Sequence, residues 1–315
     1  MAPIEDGEYM IGRNAHASAR LNLQHYWVEE TCGYLLHPDI PVPADAKIAD
    51  LATGTGYTPP APFASSSTTH KLAGANPEDE RELSNTIRCP RIWPLSLALR
   101  VPPTVQIDGF DIVDDQYPPR DWLPPNVSLN TLDTLKPIPK DLKGKYDVVC
   151  MRLFGVLVKN DDPRVALRNM VDMLKPGGYI QWVEVDLSNL GVAKSVHSPI
   201  PGKTVLETRL EDWRKYLDSS KLIYSWLQTL PEMCKAIGMS DAKVYNPPTI
   251  KASMFTGSML VLGAWEEYSY MHLDRTPDEF LGDGKQLRRT VAEIWRELRA
   301  GVALDLPLYV TVGRK

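Results

Sequence analysis

A chain of 315 residues, 43% hydrophobic and 24% charged, can bury a sizeable core as one large domain or two small ones, which excludes a disordered polymer. Its 40 acidic and 35 basic residues give a net charge of -5 without long runs of either sign. That balance lacks the electrostatic footprint of a nucleic-acid or anionic-membrane binder, so neither partner is expected.

The opening, Met1 to Asn14, carries Glu5, Asp6 and Glu8 where a leader would be basic and then apolar, and no later apolar run approaches roughly 18 residues. The expectation is a soluble, cytoplasmic protein. Ala17 to Leu36 has apolar residues at helical spacing and stops at His37-Pro38, which predicts a helix within an N-terminal helical lid over residues 1–45. From Lys47 the elements alternate. Strands are predicted at Lys47 to Thr53, Val105 to Asp111, Val127 to Leu129, Tyr146 to Met151 and Tyr179 to Val185, with helices near Trp93 to Arg100 and Arg164 to Leu174. Alternation of this kind implies an α/β fold with a doubly wound parallel sheet. Helices follow at Lys203 to Ser219, Ser225 to Ile237, Ala252 to Tyr270 and Gly284 to Ala300, with strands at Ala242 to Tyr245 and Leu308 to Val312. The helices over residues 190–300 read as a cap above the site.

Asp50-Leu51-Ala52-Thr53-Gly54-Thr55-Gly56 ends the first strand in a glycine turn, where backbone can approach a ligand closely. The segment 57–91 then interrupts the order with Pro59-Pro60, a Ser65 to Thr69 polar run and a charged Glu78 to Glu82 run. Such βα connections normally hold about 2 to 6 residues. Gly56 and Asp111 lie 55 residues apart, yet a ribose-binding acid usually follows its glycine turn by about 20, the spacing left once this segment is set aside. It reads as a disordered insertion or as a translated, retained intron. Codon degeneracy permits a GT donor across Gly56 and Tyr57, an AG acceptor inside Arg91 and a branch-like CTAAC across Ser84 and Asn85.

Asp111 offers two acceptor oxygens to a vicinal diol. Asp133, just past the third strand, can accept from an adenine amino group or serve as a turn residue. Cys32, Cys89, Cys150 and Cys234 form no CxxC pair, and the six histidines show no ligand spacing, so no metal is expected.

Taken in order, these parts resemble the seven-stranded, class I S-adenosylmethionine-dependent methyltransferases, and within them the LaeA-like fungal family. The resemblance rests on Arg20-Leu21 to Gln24-His25, Gly33 to Pro38, Asp50 to Gly56, Ile92-Trp93, Val101-Pro102-Pro103, Asp108 to Ile112, Gly144 to Val149, Arg152-Leu153, Asn169 and Leu174 to Trp182. It implies a Rossmann-like seven-stranded methyltransferase domain over 46–315, with S-adenosyl-L-methionine as cofactor. Asp50, Ala52, Gly54 and Gly56 would then surround the methionine part, Asp111 and Ile112 the ribose, and Asp133 the adenine. Met151 and Arg152 would form the floor, and Tyr26, beside His25, would lie over the cofactor. Ala52 departs from the family by replacing the first glycine of the turn.

The implied activity is O- or N-methylation of a small secondary metabolite. Alignment supplies about 7 to 11 kcal/mol in such a transfer, and a positioned base about 10²- to 10⁴-fold. His197 and Glu184 are the candidate bases. A regulator, a pericyclase-like catalyst or an inactive isoform shares the same fold. A nicotinamide dehydrogenase fits poorly, since Pro59 falls where its fingerprint needs glycine. If the intron reading holds, transcript sequencing finds messages that lack the codons for 57–91.

Overall fold

The computed structural model describes residues 15–54 and 93–315. In chain order its helices are α1 (Ala15–Cys32), α2 (Trp93–Ala98), α3 (Arg164–Met173), α4 (Val205–Ser219), α5 (Trp226–Ala236), α6 (Lys251–Tyr268) and α7 (Gly284–Arg299). The strands are β1 (Lys47–Leu51), β2 (Gln106–Asp111), β3 (Val127–Thr131), β4 (Tyr146–Arg152), β5 (Leu174–Val185), β6 (Gly191–Lys194), β7 (Ser240–Tyr245), β8 (Val302–Asp305) and β9 (Leu308–Arg314).

Among the described residues, seven strands form one sheet in the order β3-β2-β1-β4-β5-β9-β7. The pairs from β3 to β5 are parallel, and β9 runs antiparallel to both its neighbours. This is the expected doubly wound α/β sheet, with helices on its faces. Strands covered on both faces read as near-continuous apolar runs, which explains β1 (KIADL) and β4 (YDVVCMR), both buried along nearly their whole length. The order reverses between β1 and β4, and a ligand crevice opens beyond the carboxyl ends of strands at such a point.

Several boundaries differ from expectation for local reasons. α1 stops at Cys32, before His37-Pro38, because Gly33 takes a φ of +77° and its amide closes onto the Glu29 carbonyl at 2.8 Å. β5 begins at Leu174, so Lys175-Pro176-Gly177-Gly178 lies within the strand. Gly178 is required there, since a Cβ would stand 2.9 Å from the Asp147 carbonyl oxygen. The small sheet of β6 and β8 was absent from the predicted elements, because four residues carry too little periodicity to declare a strand.

The late helices are tied to one another and to α1. Leu287, Val291, Ile294 and Leu298 form the buried stripe of α7, while its Glu297 accepts from the Val205 and Leu206 amides at 2.7 and 3.0 Å and so caps α4. α1 packs on α6. Gly257 permits that approach, since a Cβ there would come 2.8 Å from the Trp27 indole nitrogen.

Beside the crevice, a Cβ on Gly109 of β2 would meet Leu129 at 2.6 Å and Thr53 at 3.3 Å. Gly109→Ala is therefore expected to cost about 1 to 3 kcal/mol through overpacking, read as a lower midpoint in urea unfolding.

Candidate functional site

The glycine turn leaves β1 through Ala52, at a φ of +54°, and Gly54, at +76°. A side chain in this left-handed region costs roughly 1 to 2 kcal/mol, so Ala52 holds a conformation that suits the glycine it replaces. The Thr53 amide donates to the Phe110 carbonyl at 2.9 Å, stitching the turn to β2. Asp111 then receives the Gly54 amide on one carboxylate oxygen at 2.9 Å and the Ile112 amide on the other at 2.8 Å. Two backbone donors thus set the plane of this carboxylate. Gly56 and the segment 57–91, with both readings made of it, lie outside the described residues.

Asp50 is fully buried beneath the turn. Its Oδ2 accepts from Thr53 Oγ1 at 2.7 Å and from an Arg152 nitrogen at 3.3 Å, while Oδ1 has no partner among the described residues. Burial raises its pKa, against the opposing pull of Arg152 and Thr53. The Arg152 guanidinium also lies over the Trp93 ring, 5.4 Å from its centroid. Met151 is fully enclosed in the core, so Arg152 is the member of the expected floor pair that reaches a polar partner.

On α1, His25 is buried and its Nε2 lies 2.9 Å from Ser96 Oγ of α2. Burial, with Arg152 and Arg100 nearby, lowers its pKa to about 3, so the imidazole is neutral. Tyr26 is half-buried beside it, with ring centroids 5.3 Å apart. Asp133 accepts the Leu135 amide at 3.0 Å and pairs with Lys136 at 3.1 Å. His197 is exposed on the turn after β6, and its amide meets Ser195 Oγ at 3.3 Å.

Glu184, near the end of β5, is 4% exposed. Its oxygens accept the Gly155 amide at 2.7 Å and the Val185 amide at 3.1 Å. Burial nevertheless raises its pKa to about 7, against those bonds. Glu184 lines a cavity of about 150 Å³ whose walls include Leu21 and Trp27 of α1, Leu153 and Val156 after β4, Leu260, Val261 and Ala264 of α6, and Leu306. Arg20 and Gln24 also line it, and Arg20 is held by Glu267 at 3.2 Å. Leu21 joins the two halves of the site, since its Cδ1 stands 3.5 Å from the place a Cβ on Gly54 would take. His197 is not among the residues lining this cavity.

The sequence reading assigned no role to Arg20, Trp27 or the α6 wall. Arg20, Leu21 and Gln24 share a helical face, but nothing in a single sequence says what that face meets. Trp213, Tyr216, Tyr224, Trp226 and Trp265 in and between the late helices are buried core, and Tyr270 and Trp295 are exposed. None of these lines the cavity. Among the described residues no cluster of three or more His, Cys, Asp or Glu is placed to hold a metal, and no helix is long and apolar enough to cross a membrane.

No protein-family model matches the chain. Curated relatives include the methyltransferase grgD of a Penicillium species, 31% identical over 190 residues that make up 58% of this chain and 54% of that protein. Another is the N-methyltransferase verN of Clonostachys rogersoniana, 27% identical over 56% of this chain and 50% of that protein. The chain spans about half the length of these two relatives. Among solved structures, coclaurine N-methyltransferase bound to N-methylheliamine and SAH aligns with 92% of this chain and 72% of its own, at 9% identity and a TM-score of 0.45. That likeness is too slight to bear on function.

The position of Glu184 predicts a pH dependence of stability. Its pKa rises from the ordinary 4.5 to about 7 on folding, so its contribution is whole below about pH 4.5 and is lost as the pH climbs to about 7. The loss amounts to about 3 kcal/mol. Urea unfolding of Glu184→Gln across this window should lack that decline.

Proposed function

We propose that this chain is an S-adenosyl-L-methionine-dependent methyltransferase that acts on a small molecule of fungal secondary metabolism in the cytoplasm. The observation that carries the proposal is the Leu21 junction, where a glycine turn bonded to the strand-end acid Asp111 shares a wall with an apolar cavity holding Glu184. The curated relatives are a methyltransferase and an N-methyltransferase, which supports nitrogen over oxygen as the acceptor atom.

The residues present fit the cofactor. Asp50 keeps a buried oxygen without a partner among the described residues, suited to an ammonium group, and Arg152 beside it suits a carboxylate. Asp111, its plane set by the Gly54 and Ile112 amides, suits the ribose diol, with Ile112 next to it and Asp133 toward the adenine. Ala52 and Gly54 shape the turn around the methionine part, Tyr26 covers it from α1, and Met151 backs the floor from within the core. When bound, S-adenosylmethionine supplies a sulfonium-borne methyl group open to in-line displacement.

The chain's own groups do the remaining work. Apolar walls from α1 and α6 hold the acceptor and exclude water. The ionised Glu184 carboxylate takes the acceptor's proton, and a pKa near 7 places that exchange close to neutral pH. His197, exposed on its turn, has no comparable support as the base.

Calorimetry with S-adenosylhomocysteine is expected to show binding that Asp111→Ala weakens by about 10- to 100-fold, the effect of losing one charge-assisted hydrogen-bond partner. With methyl-labelled S-adenosylmethionine and fungal small-molecule extracts, Glu184→Gln should slow product formation by about 10²- to 10⁴-fold. Absence of binding overturns the cofactor assignment, whereas binding without any labelled product favours a methyltransferase fold that transfers no methyl.

A further inference from the structure

Tyr224, in the turn before α5, is 2% exposed, and its hydroxyl has no hydrogen-bond partner among the described residues. A buried donor left unpaired opposes folding, so what this one faces has a consequence. Gly155 supplies the geometry. A Cβ built there would stand 2.6 Å from Cε1 of Tyr224 and 3.0 Å from the Glu184 carboxyl carbon, so the hydroxyl-bearing end of the ring and the carboxyl converge on one backbone position. The same glycine donates its amide to Glu184, and any side chain would force the two groups apart.

Two carboxyls face Tyr224, those of Glu184 and Asp186. Asp186 is engaged elsewhere, since its Oδ1 takes both the amide and the hydroxyl of Ser188, at 3.0 and 2.6 Å. Around Glu184 the ionisable groups are this Asp186, farther along the chain from β5, Tyr309, its cross-strand partner on β9, and Arg20 of α1 across the cavity, which is held by Glu267 of α6. The turn Gly155–Leu157 brings no charge, and the α6 residues that line the cavity, Leu260, Val261 and Ala264, are apolar.

We propose that the Tyr224 hydroxyl is the donor that turns onto Glu184 when that carboxyl is ionised, making Tyr224 a positioning residue for the base. This rests on the reading of Glu184 given above. In the neutral state the hydroxyl waits unpaired, and in the ionised state it adds a donor to those that already favour the charged carboxyl, the backbone amides and Trp182. The pair would then hold the carboxylate facing the cavity, ready to accept a proton.

The test needs no acceptor molecule. In the full-length chain, carboxyl ¹³C NMR assigned through Glu184→Gln reads the Glu184 midpoint, expected near 7. Tyr224→Phe keeps the ring and removes the donor. It should raise that midpoint by about one pH unit, since a lost bond to the charged form disfavours it, with an unchanged or higher Tm. A Glu184 midpoint in Tyr224→Phe equal to that of the parent overturns the inference. Should Tyr224→Phe fold poorly, the pH dependence of unfolding of Gly155→Ala supplies the second measurement. Separating ring and carboxyl should shift its midpoint upward too, and no shift overturns the inference. Labelled transfer that persists in Glu184→Gln overturns the reading of Glu184 as base, an outcome distinct from an unshifted midpoint.

Discussion

Parallel strands covered on both faces leave ionisable side chains few places to go, and the carboxyl ends of those strands are where this molecule puts them. Asp50, Asp111, Arg152 and Glu184 all stand at or near such ends. Each is held by a named donor or acceptor from a neighbouring strand, turn or helix. The turn after β1 stays in place because β2 accepts its Thr53 amide and offers Asp111 to Gly54. Remove that lacing, and the crevice loses one wall.

Burial then gives these acids different properties. Asp50 sits beside a guanidinium and a hydroxyl that oppose its desolvation, though burial still raises its pKa. Glu184 has backbone donors, the Trp182 indole and apolar neighbours, so desolvation prevails and its proton exchange moves toward neutrality. Two carboxyls of one sheet thereby differ in their neighbours, one paired with a guanidinium and one bonded to backbone amides.

The sheet and its turn were legible in the sequence because buried parallel strands spell themselves as apolar runs, and Gly54 and Asp111 stand at the ends of two of them. The residue type at Ala52 also carried information, since its positive φ shows why glycine suits the position. The cavity was not legible. Its walls come from α1, the segment after β4, and α6, and periodicity says which face of a helix is apolar without saying what it meets. Tyr224 carries no motif or period that marks it. Its relation to Glu184 depends on Gly155, whose missing side chain leaves no mark in a composition or a period. His197 and Glu184 were equal candidates by residue type, and only three-dimensional placement separates them.

The anchoring of α2 has a consequence for chain length. Trp93 donates its indole N–H to the Leu35 carbonyl at 3.2 Å and lies under Arg152, Ser96 meets His25, and Arg100 pairs with Glu29. Trp93 is therefore fixed to the scaffold on one side, as Gly54 is by its bond to Asp111 on the other. Each doubling of a flexible connection adds only about 0.6 kcal/mol of closure entropy. Joining two ends that the scaffold already fixes thus costs little more for a long span than for a short one.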